Sequence, residues 1–374
     1  MKRKIKKICH IQVIPKLSGV QQVSLDILEN LSDNDFDKYI IFGGSYHFDE
    51  VLKKKLEECN VKIITNPYFK REICLDDVKA FFYFIKIFRQ HKFDIVHTNS
   101  TKSGITARCA AWLARVPLVI HTVHGIAFHR FEKLHKRVFY YLIEAFCSLF
   151  SNVLTSVNKS YLKYYPFIRN KCCIYNGINP EIKFESRVEN ECFVVGFMGR
   201  LDRQKDPMTL LKAIKHGYDL GEITQKNYKF LLGGDGELYS ECSNFINDHG
   251  LSEVVSLSGW ISDKAAFYSS INVLCLPSVY EAFGLVQLEA AMYGIPSIST
   301  NVEGIPEVIT NNYNGFLIEP ENHIELWNKI RFYRENFEVY SEHCNNALNN
   351  AVTHFPLDNM IEKYIEVYSA KDRK

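Results

Sequence analysis

The sequence predicts an α/β chain made of two Rossmann-like, doubly wound parallel-sheet domains facing a central cleft. Three observations predict it. A length of 374 residues allows two to three domains at roughly 150 residues each, and two is the better fit. Short apolar runs alternate with helical periodicities, the pattern of a parallel sheet covered on both faces. That rhythm stops once, in the polar segment Asn176 to Glu191, and restarts at Phe193.

Taken in order, Ile5 to Ile14 reads as a strand, and Gly19 opens a helix over Val20 to Leu31. Tyr39 to Phe42 and Val61 to Ile64 are strands, followed by a helix over Val78 to Gln90. Next come a strand at Ile95 to Thr98, a helix from Lys102 to Ala114, and a strand at Leu118 to Thr122. A long helix over Lys133 to Phe150 leads to strands at Val153 to Ser156 and Ile174 to Tyr175. Beyond the polar segment, strands at Phe193 to Phe197, Lys229 to Leu232, Val254 to Leu257, Val273 to Leu276 and Ser297 to Ser299 alternate with helices from Pro207, Leu238, Lys264 and Gly284. Leu357 to Tyr368 is a last helix with Met360, Ile361, Tyr364, Ile365 and Tyr368 on one side. The domains are therefore expected at 1–178 and 192–352, with a terminal helix in 353–374. Ligands of such sheets sit at the carboxyl ends of the strands.

Composition narrows the class. With 47% hydrophobic and 24% charged residues and no low-complexity tract, disordered, collagenous and coiled-coil readings fail. Lys plus Arg is 45 against 43 for Asp plus Glu, so no global field exists to hold nucleic acid. The eleven cysteines are scattered and lack a CxxC spacing, which excludes a zinc pattern or disulfide framework and points to a reducing cytoplasm. The apolar stretch Val138 to Phe150 contains Glu144 and is shorter than the ~20 residues of a spanning helix. The basic start MKRKIKKICHIQV has too short an apolar run for a signal peptide and reads as a first buried strand.

Five segments are tested for chemistry. In PSVYEAFGLVQLEA, Glu281 and Glu289 stand eight residues apart, before and inside a helix that starts near Gly284. Amides at a helix start suit an anion, and a glycine lets it approach the backbone. On spacing alone both glutamates also fit solvated positions on an ordinary helix. In GFMGRLDRQK, Arg200 and Lys205 follow a glycine-ended strand and suit a diphosphate clamp. They equally fit an ordinary charged loop. GGDGE at 233–237 lacks the third glycine of a dinucleotide fingerprint and any Walker lysine, and reads as structural. His124 and Gly125 close a strand at the expected cleft edge, where a histidine faces either ligand or core. Asp33, Asp35 and Asp37 imitate a metal motif, but Lys38 and Gly44 stand where an EF-hand needs glycine and glutamate. They read as a solvated loop.

With these elements in order, the chain resembles the retaining GT-B glycosyltransferases of family GT4 over nearly its full length. Glu281 and Glu289 match the family's E-x7-E pattern, and Gly196 through Lys205 its GxxGRLxxxK segment. His124-Gly125 matches its HG strand end, Asn176-Gly177-Ile178-Asn179 its hinge, and Glu303-Gly304-Ile305-Pro306-Glu307 its GGxPE loop. The resemblance implies a nucleotide-sugar donor held mainly by the second domain. Arg200 and Lys205 would neutralise the diphosphate. The amides of Phe283, Gly284 and Leu285 would hold sugar and phosphate, Glu281 would bind sugar hydroxyls, and Glu289 the ribose. His124 would orient or stabilise the donor sugar, and Gly19 would lie at the donor through its backbone. No metal or cofactor is expected, because fixed cations and amides aimed at the departing phosphate lower the barrier themselves. The chain departs from the family at Ser18-Gly19, where two glycines are usual, and at Glu303, where the first glycine of its loop is common.

The segment HTVHGIAFHRFEKLHKRVFYYLIEAFCSLFSN combines Arg130, Lys133, Lys136 and Arg137 with a dense apolar stretch. It is similar to family members that extend polyprenyl-diphosphate-linked sugars, and suits an anionic bilayer surface; a core helix with a solvated basic end fits the same residues. The expected function is retaining transfer of a sugar, from a UDP-sugar such as UDP-N-acetylhexosamine, to a polyprenyl-diphosphate-linked glycan in surface polysaccharide synthesis, by a cytoplasmic enzyme peripheral on the inner membrane face. A GDP-mannose-dependent mannosyltransferase, a nucleotide-sugar epimerase of the same fold and a noncatalytic partner subunit are the alternatives.

Overall fold

The structure, a computed structural model, describes residues 4–179 and 192–369. Most of the expected linker, 180–191, lies outside the described residues. The chain forms two compact units, one of residues 1–176 with 358–374 and one of residues 177–357.

Unit 1 holds a parallel seven-stranded sheet. Its strands are β1 (Lys6–Ile11), β2 (Phe36–Gly43), β3 (Lys62–Asn66), β4 (Ile95–Asn99), β5 (Leu118–Val123), β6 (Val153–Ser156) and β7 (Lys171–Cys173). They lie in the order β3-β2-β1-β4-β5-β6-β7, so β1 and β4 form the switch point from which the sheet winds both ways. The helices are α1 (Gly19–Asn30), α2 (Glu50–Glu58), α3 (Asp76–His91), α4 (Ser100–Leu113) and α5 (Leu134–Ser148).

Two elements depart from the sequence pattern. Helix α2 was not expected: EVLKKKLEE buries only Leu52 and Leu56, a stripe one residue wide. Its start is set by the Asp49 carboxylate, which accepts from the Val51 and Leu52 amides at 2.9 and 3.2 Å. Strand β7 ends at Cys173 instead of spanning Ile174 to Tyr175, although the Ile174 amide still donates to Ser156 O at 2.9 Å. As an edge strand it is only half-buried, so burial marks it weakly. Asp37 belongs to β2, where it pairs with Lys62 at 2.7 Å, and Asp33 pairs with Lys38 at 2.8 Å. No metal-ligating cluster occurs among the described residues.

Unit 2 repeats the plan with β8 (Phe193–Met198), β9 (Tyr228–Gly233), β10 (Val255–Gly259), β11 (Val273–Leu276), β12 (Ser297–Thr300) and β13 (Gly315–Ile318), in the order β10-β9-β8-β11-β12-β13. Its helices are α6 (Pro207–Asp219), α7 (Tyr239–Asp248), α8 (Lys264–Ser270), α9 (Leu285–Met292), α10 (His323–Glu335) and α11 (Phe337–His354). The last strand and the two helices after it were missing from the sequence reading. In α11 the buried side includes Tyr340, His343, Cys344, Ala347 and Ala351, mostly small or polar residues that leave little hydrophobic period to see.

After α11 the chain leaves unit 2 beside the point where it entered. The Ile178 amide donates to Phe355 O at 2.9 Å and the Leu357 amide to Ile178 O at 3.0 Å. A Cβ on Gly177 would lie 2.6 Å from Leu357 Cα, which explains the glycine. The terminal helix α12 (Leu357–Ser369) then packs on unit 1. Its buried residues Met360, Ile361, Tyr364 and Tyr368 follow the anticipated spacing. The Tyr368 hydroxyl meets His97 Nδ1 at 2.8 Å and His10 Nε2 at 3.1 Å, and the Tyr364 hydroxyl meets Thr122 Oγ1 at 3.2 Å.

His10 and His97 belong to a cluster with His121 and His124. Burial pushes His10 and His124 down to about 3, with the charge of His124 adding to the effect on His10. Burial holds His97 and His121 well below the ordinary imidazole value. The folded state thus keeps these rings neutral while the unfolded chain protonates them near pH 6.5. Stability is full above that pH and falls as pH drops, by about 1.4 kcal/mol per pH unit for each such histidine. The urea midpoint is expected to fall steadily from pH 7 to 5, and His10→Gln to flatten the slope; an unchanged slope would contradict the assignment.

Candidate functional site

The predicted donor residues lie at the carboxyl edge of the unit 2 sheet, where β8 and β11 run out into loops. Between β11 and α9 the chain passes through Pro277 to Gly284. Gly284 caps α9 in the left-handed region, φ 91°, and no side chain caps the helix. A Cβ there would lie 2.7 Å from Gln287 Oε1 and 2.9 Å from Ile305 Cδ1, so glycine is required twice over. The first-turn amides have no intrahelical acceptors and carry the positive end of the helix dipole. The side chain of Phe283 is buried against Phe355, leaving only its backbone to serve a ligand. Leu285 is the first residue of the helix.

The Arg200 loop is stitched to this turn. Val279 N donates to Gln204 O at 2.8 Å, and Gln204 Nε2 donates to Tyr280 O at 3.2 Å. Lys205 Nζ and Glu281 Oε2 form an ion pair, with both side chains largely buried at 14% and 13% exposure. Arg200 is more open and is held by Gln204 Oε1 at 2.8 Å and Asp202 Oδ2 at 3.0 Å. The Gly304 amide donates to Glu281 O at 3.1 Å, bringing the 303–307 loop to the same point. Cation, carboxylate and helix amides are therefore neighbours, although 76 residues separate Lys205 from Glu281.

The glycine turn at 233–236 supports the Arg200 loop. Gly199 N donates to Gly233 O at 3.0 Å, and Leu201 N donates to Asp235 O at 3.0 Å. Gly234 has φ 140°, and a Cβ on it would strike Gly199 O, as one on Gly236 would strike Leu201 O. Glu303 sits at φ 43°. The backbone there adopts the left-handed form that a glycine takes freely, at a cost of about 1 kcal/mol for a residue with a Cβ.

Glu289 lies one turn into α9 and is held by residues the sequence reading passed over. Lys264 Nζ reaches its two oxygens at 2.7 and 2.9 Å, and the Tyr268 hydroxyl donates at 2.7 Å. Burial, and next the Glu289 charge, raise the Tyr268 phenol well above its ordinary value, so it remains a donor. Trp260, Ile261, Asp263 and Phe267 line a shallow groove at the start of α8. Gln204 lies inside the GFMGRLDRQK segment, whereas Lys264 and Tyr268 belong to a stretch that the sequence marks only as a helix.

In unit 1, His124 follows β5, and its Nε2 lies 3.1 Å from Asn99 Oδ1 at the end of β4. Gly125 has open space around it, and Gly19 is exposed at the start of α1. Of the basic residues, Arg130 stacks on Phe131, Lys136 lies 3.9 Å from Glu132, Lys133 precedes α5 and Arg137 lies in its first turn. The core-helix alternative for this segment is overturned. Leu134, Val138, Phe139, Leu142, Phe146 and Leu149 are 50–72% exposed, while Glu144, Cys147 and Ser148 face inward. The inversion has a partner: Arg108 of α4, 0% exposed in its side chain, holds Glu144 at 2.6 Å. No described helix is long and apolar enough to cross a membrane.

Known proteins match this chain over nearly its whole length. The family described as Glycosyl transferases group 1 matches residues 178–352, and Glycosyltransferase Family 4 matches residues 17–182. The chain is 30% identical, over 97% of its length and 96% of the relative's, to UDP-Gal:alpha-D-GlcNAc-diphosphoundecaprenol alpha-1,3-galactosyltransferase of Escherichia coli. It is 29% identical, over 88% of its length and 89% of the relative's, to a GalNAc-alpha-(1->4)-GalNAc-alpha-(1->3)-diNAcBac-PP-undecaprenol alpha-1,4-N-acetyl-D-galactosaminyltransferase of Campylobacter jejuni. Among solved structures, Anabaena Alr3699/HepE in complex with UDP-glucose matches with a TM-score of 0.79 at 20% identity, covering 97% of this chain and 99% of that one. The chain belongs to the family 4 glycosyltransferases and has their GT-B fold.

Proposed function

We propose that the protein transfers a hexose or N-acetylhexosamine from a UDP-sugar to a polyprenyl-diphosphate-linked glycan, with retention of configuration, in the assembly of a surface polysaccharide. The observation that carries this reading is the meeting of Lys205, Arg200, Glu281 and the start of α9 at one sheet edge. Breaking the anomeric C–O bond places charge on the departing diphosphate. Lys205, Arg200 and the amides of Phe283, Gly284 and Leu285 stabilise that charge with little reorganisation. Glu281 holds the ammonium of Lys205 in place and accepts from sugar hydroxyls, and Glu289, fixed by Lys264 and Tyr268, accepts from the ribose. The leaving phosphate takes the acceptor proton on the face from which it departs. The relatives' UDP-sugar donor and undecaprenyl-diphosphate acceptors support the choice of substrates.

The outward apolar face of α5, flanked by Arg130, Lys133, Lys136 and Arg137, supports a peripheral position on an anionic membrane. Apolar side chains enter the interfacial layer while the cations meet headgroups. A panel of UDP- and GDP-sugars offered with and without an undecaprenyl-diphosphate-linked acceptor tests the activity. Acceptor-dependent release of UDP is expected. Turnover of the donor without acceptor would instead favour an epimerase, and use of GDP-mannose alone a mannosyltransferase. Flotation with anionic liposomes, lost in Leu142→Asp/Phe146→Asp, tests the membrane surface; full recovery of the native protein in the soluble fraction would overturn it.

A further inference from the structure

Asn99 closes β4, is almost wholly buried and lies opposite Thr122 of β5 in the sheet register. Its amide has two ends with two different neighbours. One end faces His97 O at 3.4 Å, and the other faces His124 Nε2 at 3.1 Å. A backbone carbonyl only accepts, so the NH2 of Asn99 must point at His97 O and its Oδ1 at the imidazole. A carbonyl oxygen likewise only accepts, so His124 Nε2 must carry the proton. The other ring nitrogen, Nδ1, is then unprotonated.

We propose that Asn99 is a positioning residue that holds His124 in its Nε2–H tautomer, so that the ring presents Nδ1 as a hydrogen-bond acceptor to a substrate hydroxyl. This rests on the reading of His124 as a substrate-facing group. The direction of the bond decides what the histidine does: it receives a hydroxyl proton instead of donating one to an oxygen. The charged and titratable groups around the ring are consistent with a neutral form. His10 of β1, His97 of β4 and His121 of β5 surround it, and each is itself kept neutral by burial.

The test is the 15N spectrum of histidine-labelled protein, with the His124 signals assigned by their loss in His124→Gln. A protonated Nε2 and bare Nδ1 are expected in the native chain. Asn99→Ala should give a mixture of tautomers and lower kcat about tenfold with donor KM nearly unchanged, as expected for a misplaced reacting geometry. Asn99→Asp should raise the ring's titration by about 2 pH units and add an acid limb to the kcat profile. Asn99→Gln, which retains an acceptor, should recover part of the rate. A protonated Nδ1 in the native protein, or an unchanged tautomer in Asn99→Ala, would overturn the proposal. If the tautomer shifts as expected while His124→Gln retains full activity, the assignment of Asn99 stands and the role given to His124 fails.

Discussion

Lys205→Ala is expected to lower kcat by about 10²- to 10³-fold, with a smaller change in donor KM, the loss typical of one fixed group that stabilises transition-state charge. The ammonium is held by Glu281 in a largely desolvated position, with 14% of the lysine side chain exposed. Its alignment therefore costs little when the phosphate departs. Removing it also leaves Glu281 without its counter-charge beside a helix start, so the anion meets a less positive site. Lys205→Arg should recover little, because the guanidinium is larger and planar where the pair fits an ammonium. Initial rates at saturating donor, with folding checked by circular dichroism, decide it. Full activity in Lys205→Ala would remove the diphosphate clamp from the mechanism.

Glu144→Ala should destabilise unit 1 by about 3–5 kcal/mol, the range for breaking a buried ion pair by deleting one partner. Arg108 would then keep its charge at 0% exposure, with Gly104 O at 2.6 Å as a remaining partner. Replacing both residues by apolar ones, Arg108→Met with Glu144→Leu, should recover most of the loss, because no charge is stranded. Calorimetry can separate the two units. The transition of unit 1 should move down by roughly 10 °C, at about 2–4 °C per kcal/mol for a domain of this size, while that of unit 2 stays. An unmoved transition would show that the pair contributes nothing. This pair also tests the orientation of α5, since Glu144 is the charged residue on its inner side.

Local pattern was enough for most of the strands. Those of unit 1 include short apolar runs such as Tyr39 to Phe42 of β2, all buried, and burial on both faces of a parallel sheet writes itself as continuous apolar sequence. Elements with thin or small-residue stripes escaped: α2 buries two leucines, and α11 buries mostly alanine, cysteine and polar rings. Helix α5 shows the limit of pattern reading most clearly. Its apolar period is strong, and period alone places that face inward. The buried Arg108–Glu144 pair turns it outward, and no sequence periodicity reports which face a neighbouring helix has claimed.

The sequence by itself determined the two-unit parallel α/β architecture and the motif residues of the glycosyltransferase family, because burial pattern, glycine placement and the spacing of charges are local properties. Only the tertiary structure decided which of those residues meet. It pairs Lys205 with Glu281, secures Glu289 with Lys264 and Tyr268, sets Asn99 against His124, and places α12 on unit 1 through Tyr364 and Tyr368. The physical reason is that hydrogen bonds and ion pairs act over about 3 Å, and residues far apart in the chain come that close only after the sheets have formed.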